Sequence, residues 1–163
     1  MSEKIRVSLI GLGSMGTAMA HRILDQGFDL DIWNRSPKEI GDLLDKGARK
    51  AELQQSLQND FVISMLSNDA AALEVFNEAN LEKAKPGSIH INMSTLSPVA
   101  SQTLAERHSK HGVGYIAAPV LGRPIAITNG KLLIVAAGAA KDIEAASVVF
   151  EKVAAQYWNV GTD

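Results

Sequence analysis

Short apolar runs alternate with amphipathic stretches along nearly the whole chain. The runs at 5–10, 28–33, 60–66, 88–93, 114–119, 131–137 and 157–160 read as strands. The intervening segments 14–26, 37–46, 51–58, 69–79, 98–111 and 140–155 read as helices. Within 14–26, Met15, Ala18, Met19, Ile23 and Leu24 recur at helical spacing, and Gly27 follows as a stop. Ser36-Pro37-Lys38-Glu39 has the form of a capping box with proline at the first helical position, and Ser97-Pro98 repeats the cap-then-proline signal. Such alternation predicts an α/β fold with a doubly wound, mostly parallel sheet. The connection 120–130 is too short for a crossover helix, so 114–119 and 131–137 are expected to pair antiparallel near the C-terminus. There is no internal repeat or linker, so residues 1–163 read as one domain.

The first strand runs into Gly11-Leu12-Gly13-Ser14-Met15-Gly16, a G-x-G-x-x-G loop between a strand and a helix. The context gives the motif its weight. Gly11 suits a tight turn, Gly13 leaves the backbone open to a pyrophosphate, and Gly16 lets helix and strand approach. A helix amino terminus offers free N–H groups and partial positive charge to phosphate. The fold is therefore read as Rossmann-type. The second strand ends at Asn34-Arg35-Ser36, where NAD sites place Asp or Glu on the ribose 2′-hydroxyl. A guanidinium attracts a 2′-phosphate that a carboxylate would repel, so the expected cofactor is NADP(H). Charge-assisted hydrogen bonds contribute about 1.5–3 kcal/mol each. Lys38 adds charge nearby, and Ser36 serves as a helix cap as well as a phosphate contact.

Composition narrows the class. Net charge is −2 with no basic block, which argues against a nucleic-acid partner, and none is expected. The chain has no cysteine, which removes thiol chemistry and fits a reducing, cytoplasmic setting. Met1-Ser2-Glu3-Lys4 leads directly into the first strand, so no signal peptide is expected, and no apolar run reaches membrane-spanning length.

Three further segments fall at strand carboxyl ends, where ligands bind in such sheets. Met65-Leu66-Ser67 are candidates for the nicotinamide-side ribose. Ser94 and Thr95 offer hydroxyls beside a helix start, with ordinary turn chemistry as the alternative. Leu121, Gly122 and Arg123 follow the fifth long strand, and Arg123 is a carboxylate clamp or a solvated loop residue. His21 reads as surface and His90 as packed in a strand. His108 and His111 lie three apart on a polar helix end, but no partner ligand is evident and no metal is expected.

The series GLGSMGTAMA, WNRSP, MLSND, NMSTLSP and APVLG resembles the β-hydroxyacid dehydrogenases, relatives of 6-phosphogluconate dehydrogenase and of the imine reductases. The resemblance covers essentially the whole chain. It implies hydride transfer between NADP(H) and a small hydroxyacid or semialdehyde. It sets Ser94 and Thr95 beside nicotinamide and substrate, and it maps the family's carboxylate-holding loop onto Pro119 to Arg123. Leu121 replaces that loop's serine and Arg123 its second glycine, which puts an ordinary hydroxyacid in doubt and opens imine reduction. The family's catalytic lysine lies in a second, all-helical domain that also builds a homodimer. That domain would begin where this sequence ends, at 159–163, so the chain is expected to be an isolated cofactor domain that binds but barely turns over. Lys131 and Lys141 read as solvated. Two other classes stay open: a methyltransferase-like domain, disfavoured by Asn34-Arg35, and a non-catalytic NADP-binding redox sensor.

Overall fold

The protein is seen in a computed structural model that describes residues 3–162. Its central sheet is formed by β1 (Arg6–Ile10), β2 (Asp29–Trp33), β3 (Arg49–Lys50), β4 (Phe61–Ser64), β5 (Ile89–Asn92) and β6 (Gly114–Ala117). All pair parallel, in the order β3-β2-β1-β4-β5-β6. The chain winds outward from β1 to β3, then restarts on the other side of β1 at β4. Connections of one hand place helices on both faces.

Helices α1 (Ser14–Asp25), α7 (Pro124–Thr128) and α8 (Ala140–Val153) cover one face. Helices α3 (Leu53–Ser56), α4 (Asp69–Val75), α5 (Glu78–Glu82) and α6 (Pro98–Lys110) supply the other, and α2 (Gly41–Asp45) lies toward the β2 edge. Leu9, Leu30, Ile32, Ile63 and Ile91 are fully buried on the central strands. Burial of such a side chain stabilises by about 1.5–3 kcal/mol, which is why strands sandwiched by two helical layers are apolar on both faces. On α1 the buried side is Gly16, Met19, Ala20 and Ile23, while Met15, Ala18 and Leu24 are only partly covered.

The expected antiparallel pairing is present but divided over two sheets. Ala117 and Ala137 exchange backbone hydrogen bonds of 2.9 and 2.8 Å in a single antiparallel bridge. Pro119 lacks an N–H and returns no hydrogen bond to the ladder, although its carbonyl accepts from the Val135 amide at 3.2 Å. The chain then forms β7 (Val120–Leu121), antiparallel to β8 (Leu133–Ala136), which pairs parallel with β9 (Gln156–Asn159). The short α7 fits inside the 120–130 connection without being a crossover; Pro124 at its first turn was the signal.

The helix expected over 37–46 is corrected: it begins only at Gly41, with Ile40 at its cap. Ser36 does not cap it. The Asn34 amide donates to the Ser36 carbonyl at 2.8 Å and holds the 36–39 segment out of the helix. Such local side-chain-to-backbone bonds compete with helix formation. The capping box forms instead at Glu52 and Gln55, on α3. Helix 69–79 is split into α4 and α5 because Asn77 opens a new helix, its side chain accepting from the Asn80 amide at 2.9 Å. Charged β3 escaped the apolar pattern; Arg49 donates to Asp31 on β2 at 2.8 Å.

Two glycines set the β1–α1 geometry. Gly11 has φ +100, and a Cβ there would overlap the Met65 carbonyl. A Cβ on Gly16 would overlap the Gly11 carbonyl. Gly11→Ala is expected to lower unfolding free energy by about 2–4 kcal/mol, from a left-handed backbone plus a backbone clash. Urea denaturation checks this, and a change below about 0.5 kcal/mol would contradict the close approach.

Candidate functional site

The carboxyl ends of β1, β4 and β5 open on one cleft of about 560 Å³. It is lined by the glycine loop 11–16, Asn34, 65–67, 93–95, Val120 and Gly122. Gly13 caps α1 with an extended backbone, and a Cβ added there meets nothing. The first helical bond runs from the Thr17 amide to the Gly13 carbonyl at 2.8 Å. The amides of Ser14, Met15 and Gly16 therefore have no helical acceptor ahead of them. No acidic side chain sits in that first turn, so nothing competes for the positive end of the helix.

Asn34 braces this loop: its carbonyl oxygen accepts from the Leu12 amide at 2.9 Å while its NH₂ holds Ser36. Beyond it lies a second hollow of about 270 Å³, bounded by Leu12, Asn34, Arg35, Ser36, Lys38 and Lys50 among others. Arg35 is exposed there and donates to Glu74 on α4 at 3.0 Å. An exposed pair of this kind contributes little to stability and is easily exchanged for another anion.

The opposite wall is cross-tied. The Ser94 hydroxyl accepts from the Leu66 amide at 2.7 Å, and the Ser94 amide donates to Asn92 Oδ1 at 3.0 Å. Ser94 is buried and joins the two strand ends, whereas Thr95 and Ser67 are exposed at the cleft. Of the expected loop residues Gly122 lines the cleft, beside Val120, whereas Leu121 and Arg123 lie outside its lining. Leu121 is 56% exposed, and Arg123 caps α7 through its backbone.

Behind this wall runs a buried polar chain that the sequence reading missed. Ser64 Oγ lies 2.6 Å from His90 Nε2, and His90 Nδ1 lies 2.8 Å from His108 Nε2. His108 Nδ1 lies 2.6 Å from the Leu104 carbonyl. Facing a carbonyl, His108 Nδ1 carries the hydrogen. His108 Nε2 then accepts from His90 Nδ1–H, and His90 Nε2 accepts from the Ser64 hydroxyl. Burial pushes the His90 imidazole well below its ordinary range and His108 down to about 4, so both are neutral at pH 7. His90 is packed as expected, stacked on Phe76 at 3.8 Å between ring centres. His108, read as part of a polar helix end, is fully buried, while His111 turns outward to Glu78 at 2.7 Å. The two rings cannot share a metal in this arrangement. The overlooked signal was His108 falling on the same α6 face as Ala100 and Leu104.

A family model described as the NAD binding domain of 6-phosphogluconate dehydrogenase matches residues 6–161. The chain belongs to that family. This NAD-binding domain is 36% identical over 163 residues to an uncharacterized oxidoreductase of Bacillus subtilis, YfjR, covering 98% of the chain and 57% of the relative. It is 33% identical over 150 residues to the mitochondrial 3-hydroxyisobutyrate dehydrogenase of Bos taurus, covering 90% and 45%. Among solved structures, an imine reductase from Pseudomonas sp. superposes with a TM-score of 0.92 at 26% identity, over 99% of this chain and 57% of that one. The domain thus spans about half the length of the curated relatives it matches. Among its described residues no helix is long and apolar enough to cross a membrane.

The imidazole pair gives the domain an acid-sensitive stability. Unfolded imidazoles take up protons near pH 6.5, whereas folded His108 does so only near 4. Between those values the unfolded state binds more protons, so stability is complete above 6.5 and falls as pH falls through the window. The expected loss from pH 7 to pH 4 is about 3 kcal/mol for His108 alone. Denaturant titrations across this range check it; the slope should shrink in His108→Gln, and a flat profile in the parent protein would contradict the buried neutral pair.

Proposed function

We propose that this chain is the cofactor-binding domain of an NADP-dependent oxidoreductase that moves hydride between NADP(H) and a small hydroxyacid or semialdehyde. The observation that carries the reading is the end of β2. Arg35 and Lys38 border the hollow beyond the glycine loop, and the acid that would hold a ribose 2′-hydroxyl is replaced by Asn34.

The residues fit the dinucleotide along its length. The Ser14, Met15 and Gly16 amides face the place for the pyrophosphate, and open space over Gly13 leaves room for it. Arg35, released from Glu74, would take the 2′-phosphate with two N–H groups. Met65, Leu66 and Ser67 would border the nicotinamide-side ribose. Once bound, the nicotinamide supplies or accepts the hydride. Thr95, exposed at the cleft, offers the hydroxyl closest to substrate in this reading. Ser94 has its oxygen engaged by Leu66 and acts by fixing the wall. The general acid, following the resemblance, is a lysine of a second, helical domain, and a homodimer belongs to the same proposal. A cytoplasmic location is supported by the absence of cysteine.

Imine reduction is the second reading. The likeness to the Pseudomonas imine reductase favours it, as does apolar Leu121 where the resemblance places a serine.

Calorimetric titration with NADPH and NADH tests the cofactor assignment. NADPH is expected to bind at least tenfold more tightly, and Arg35→Ala to remove most of the difference. Equal affinities in the parent chain would overturn the NADP reading. Glu74→Gln, which frees Arg35 of its competing anion, is expected to tighten NADPH by about two- to fivefold and leave NADH unchanged. Weaker NADPH binding in that variant would mean that Glu74 pre-orients the guanidinium instead.

A further inference from the structure

We propose that Ser64, His90 and His108 are positioning residues for the cofactor cleft: acting through Asn92, they hold Ser94 against the Leu66 amide and so set the spacing between the two strand-end walls. The inference rests on the dinucleotide reading of the cleft and adds to it a group of residues that touch no ligand.

The tie is continuous in space. Asn92 Oδ1 receives the Ser94 amide at 3.0 Å and lies 3.1 Å from Ser64 Oγ. The other end of Asn92 donates to the Tyr115 hydroxyl at 2.9 Å, which also meets Ser101 at 2.9 Å. The cluster thus spans β4, β5, β6 and α6 and ends at Leu66 and Ser94, two cleft-lining residues. Ser8 and Asn59 make the other buried polar knot, but they lie toward the amino ends of the strands, away from the cleft. Ser64, His90 and His108, three buried titratable or hydroxyl groups aligned behind one wall of a ligand cleft, are more than core packing needs. An apolar core of the same shape would cost less to bury.

Hydrogen bookkeeping shows what the chain does. Ser64 has one hydroxyl hydrogen and two acceptors within reach, His90 Nε2 and Asn92 Oδ1. With both imidazoles neutral, the Leu104 carbonyl orients every hydrogen in one direction and sends the Ser64 hydrogen to His90. Asn92 Oδ1 is then left for the Ser94 amide. If His90 takes a proton on Nε2, that nitrogen becomes a donor to Ser64, and the Ser64 hydrogen must turn to Asn92 Oδ1. Asn92 Oδ1 has two lone pairs and accepts from both Ser64 and the Ser94 amide, so the cost of this state is a charge buried with no counterion.

The groups facing the pair bear this out. His90 meets Phe76 of α4, Tyr115 of β6, Ser64 of β4 and His108 of α6. Along α6, His108 feels the positive charge of Arg107 and the ring of His111, and Glu78 of α5 is paired with His111 and Lys110. None of the described partners of the two buried rings is a carboxylate. That uncompensated charge disturbs the packed wall behind Ser94 and Leu66, so dinucleotide affinity, taken relative to a variant that cannot titrate there, should be level from pH 8 to about 6 and decline below about 5.

The test combines NADPH titrations at several pH values with amide and imidazole NMR on the parent chain, Ser64→Ala and His90→Phe. Phenylalanine keeps an aromatic ring against Phe76 and cannot titrate. Ser64→Ala is expected to weaken NADPH about five- to twentyfold at pH 7.5 while the variant still unfolds cooperatively. His90→Phe is expected to bind more weakly at pH 7.5 and to lose part of the acid decline. Ionisation of the 2′-phosphate is common to all three proteins and cancels in the comparison. In the parent, the Leu66 amide resonance should shift with the same midpoint as the buried imidazoles. Ser64→Ala affinity within twofold of the parent, or an acid decline unchanged in His90→Phe, would overturn the proposal. If the parent binds no dinucleotide, the cofactor reading fails. Co-titration of Leu66 with the imidazoles then still reports whether the wall is tied to them, and a Leu66 amide that ignores the imidazoles rejects the tie itself.

Discussion

The cleft depends on backbone meeting backbone at the β1–α1 turn. Gly16 lies on the Gly11 carbonyl, and Gly11 lies on the Met65 carbonyl at the end of β4. No side chain fits between them. That closeness brings the start of α1 over the sheet edge and aims its unpaired amides at the space between β1 and β4. The same spot is the switch point of the sheet, where β2 leads away on one side and β4 on the other. A rim without side chains and a diverging pair of connections together make a groove with positive potential at its floor.

The two walls of that groove are held by different physics. On the β2 side Asn34 bridges the glycine loop and the 36–39 segment with two short bonds, and the charged groups beyond it are solvated and exchangeable. On the β5 side a buried network runs from α6 to the Leu66–Ser94 contact. An exposed ion pair can be remade with a ligand at little cost, whereas a buried chain of hydrogen bonds has one low-energy arrangement and resists added charge. The arrangement joins an adaptable end to a rigid one.

Legibility followed range. The glycine loop, its strand and its helix were readable because turn chemistry and apolar period act within a few residues. Leu121, Gly122 and Arg123 were picked from the resemblance of one loop; which residues line the cleft depends on the pleat of β7, and of the three only Gly122 does so, beside Val120. Ser36 looked like a cap because a cap needs only four residues of sequence. Asn34, which draws its carbonyl elsewhere, decided otherwise. His108 lay on a helix whose composition is polar, and only the packing of α6 against β5 and β6 turned it inward to meet His90.

The sequence by itself determined the α/β winding, the glycine loop, the apolar strands and the cationic end of β2, because each is encoded by neighbours in the chain. Tertiary structure alone decided the division of the C-terminal strands into a second sheet, the Arg35–Glu74 pair and the Ser64–His90–His108 chain. Those contacts join residues 18 to 39 positions apart, or turn on a proline that has no N–H to donate. Their geometry exists only once the helices have packed on the sheet, since burial, not local pattern, selects which polar groups must find each other.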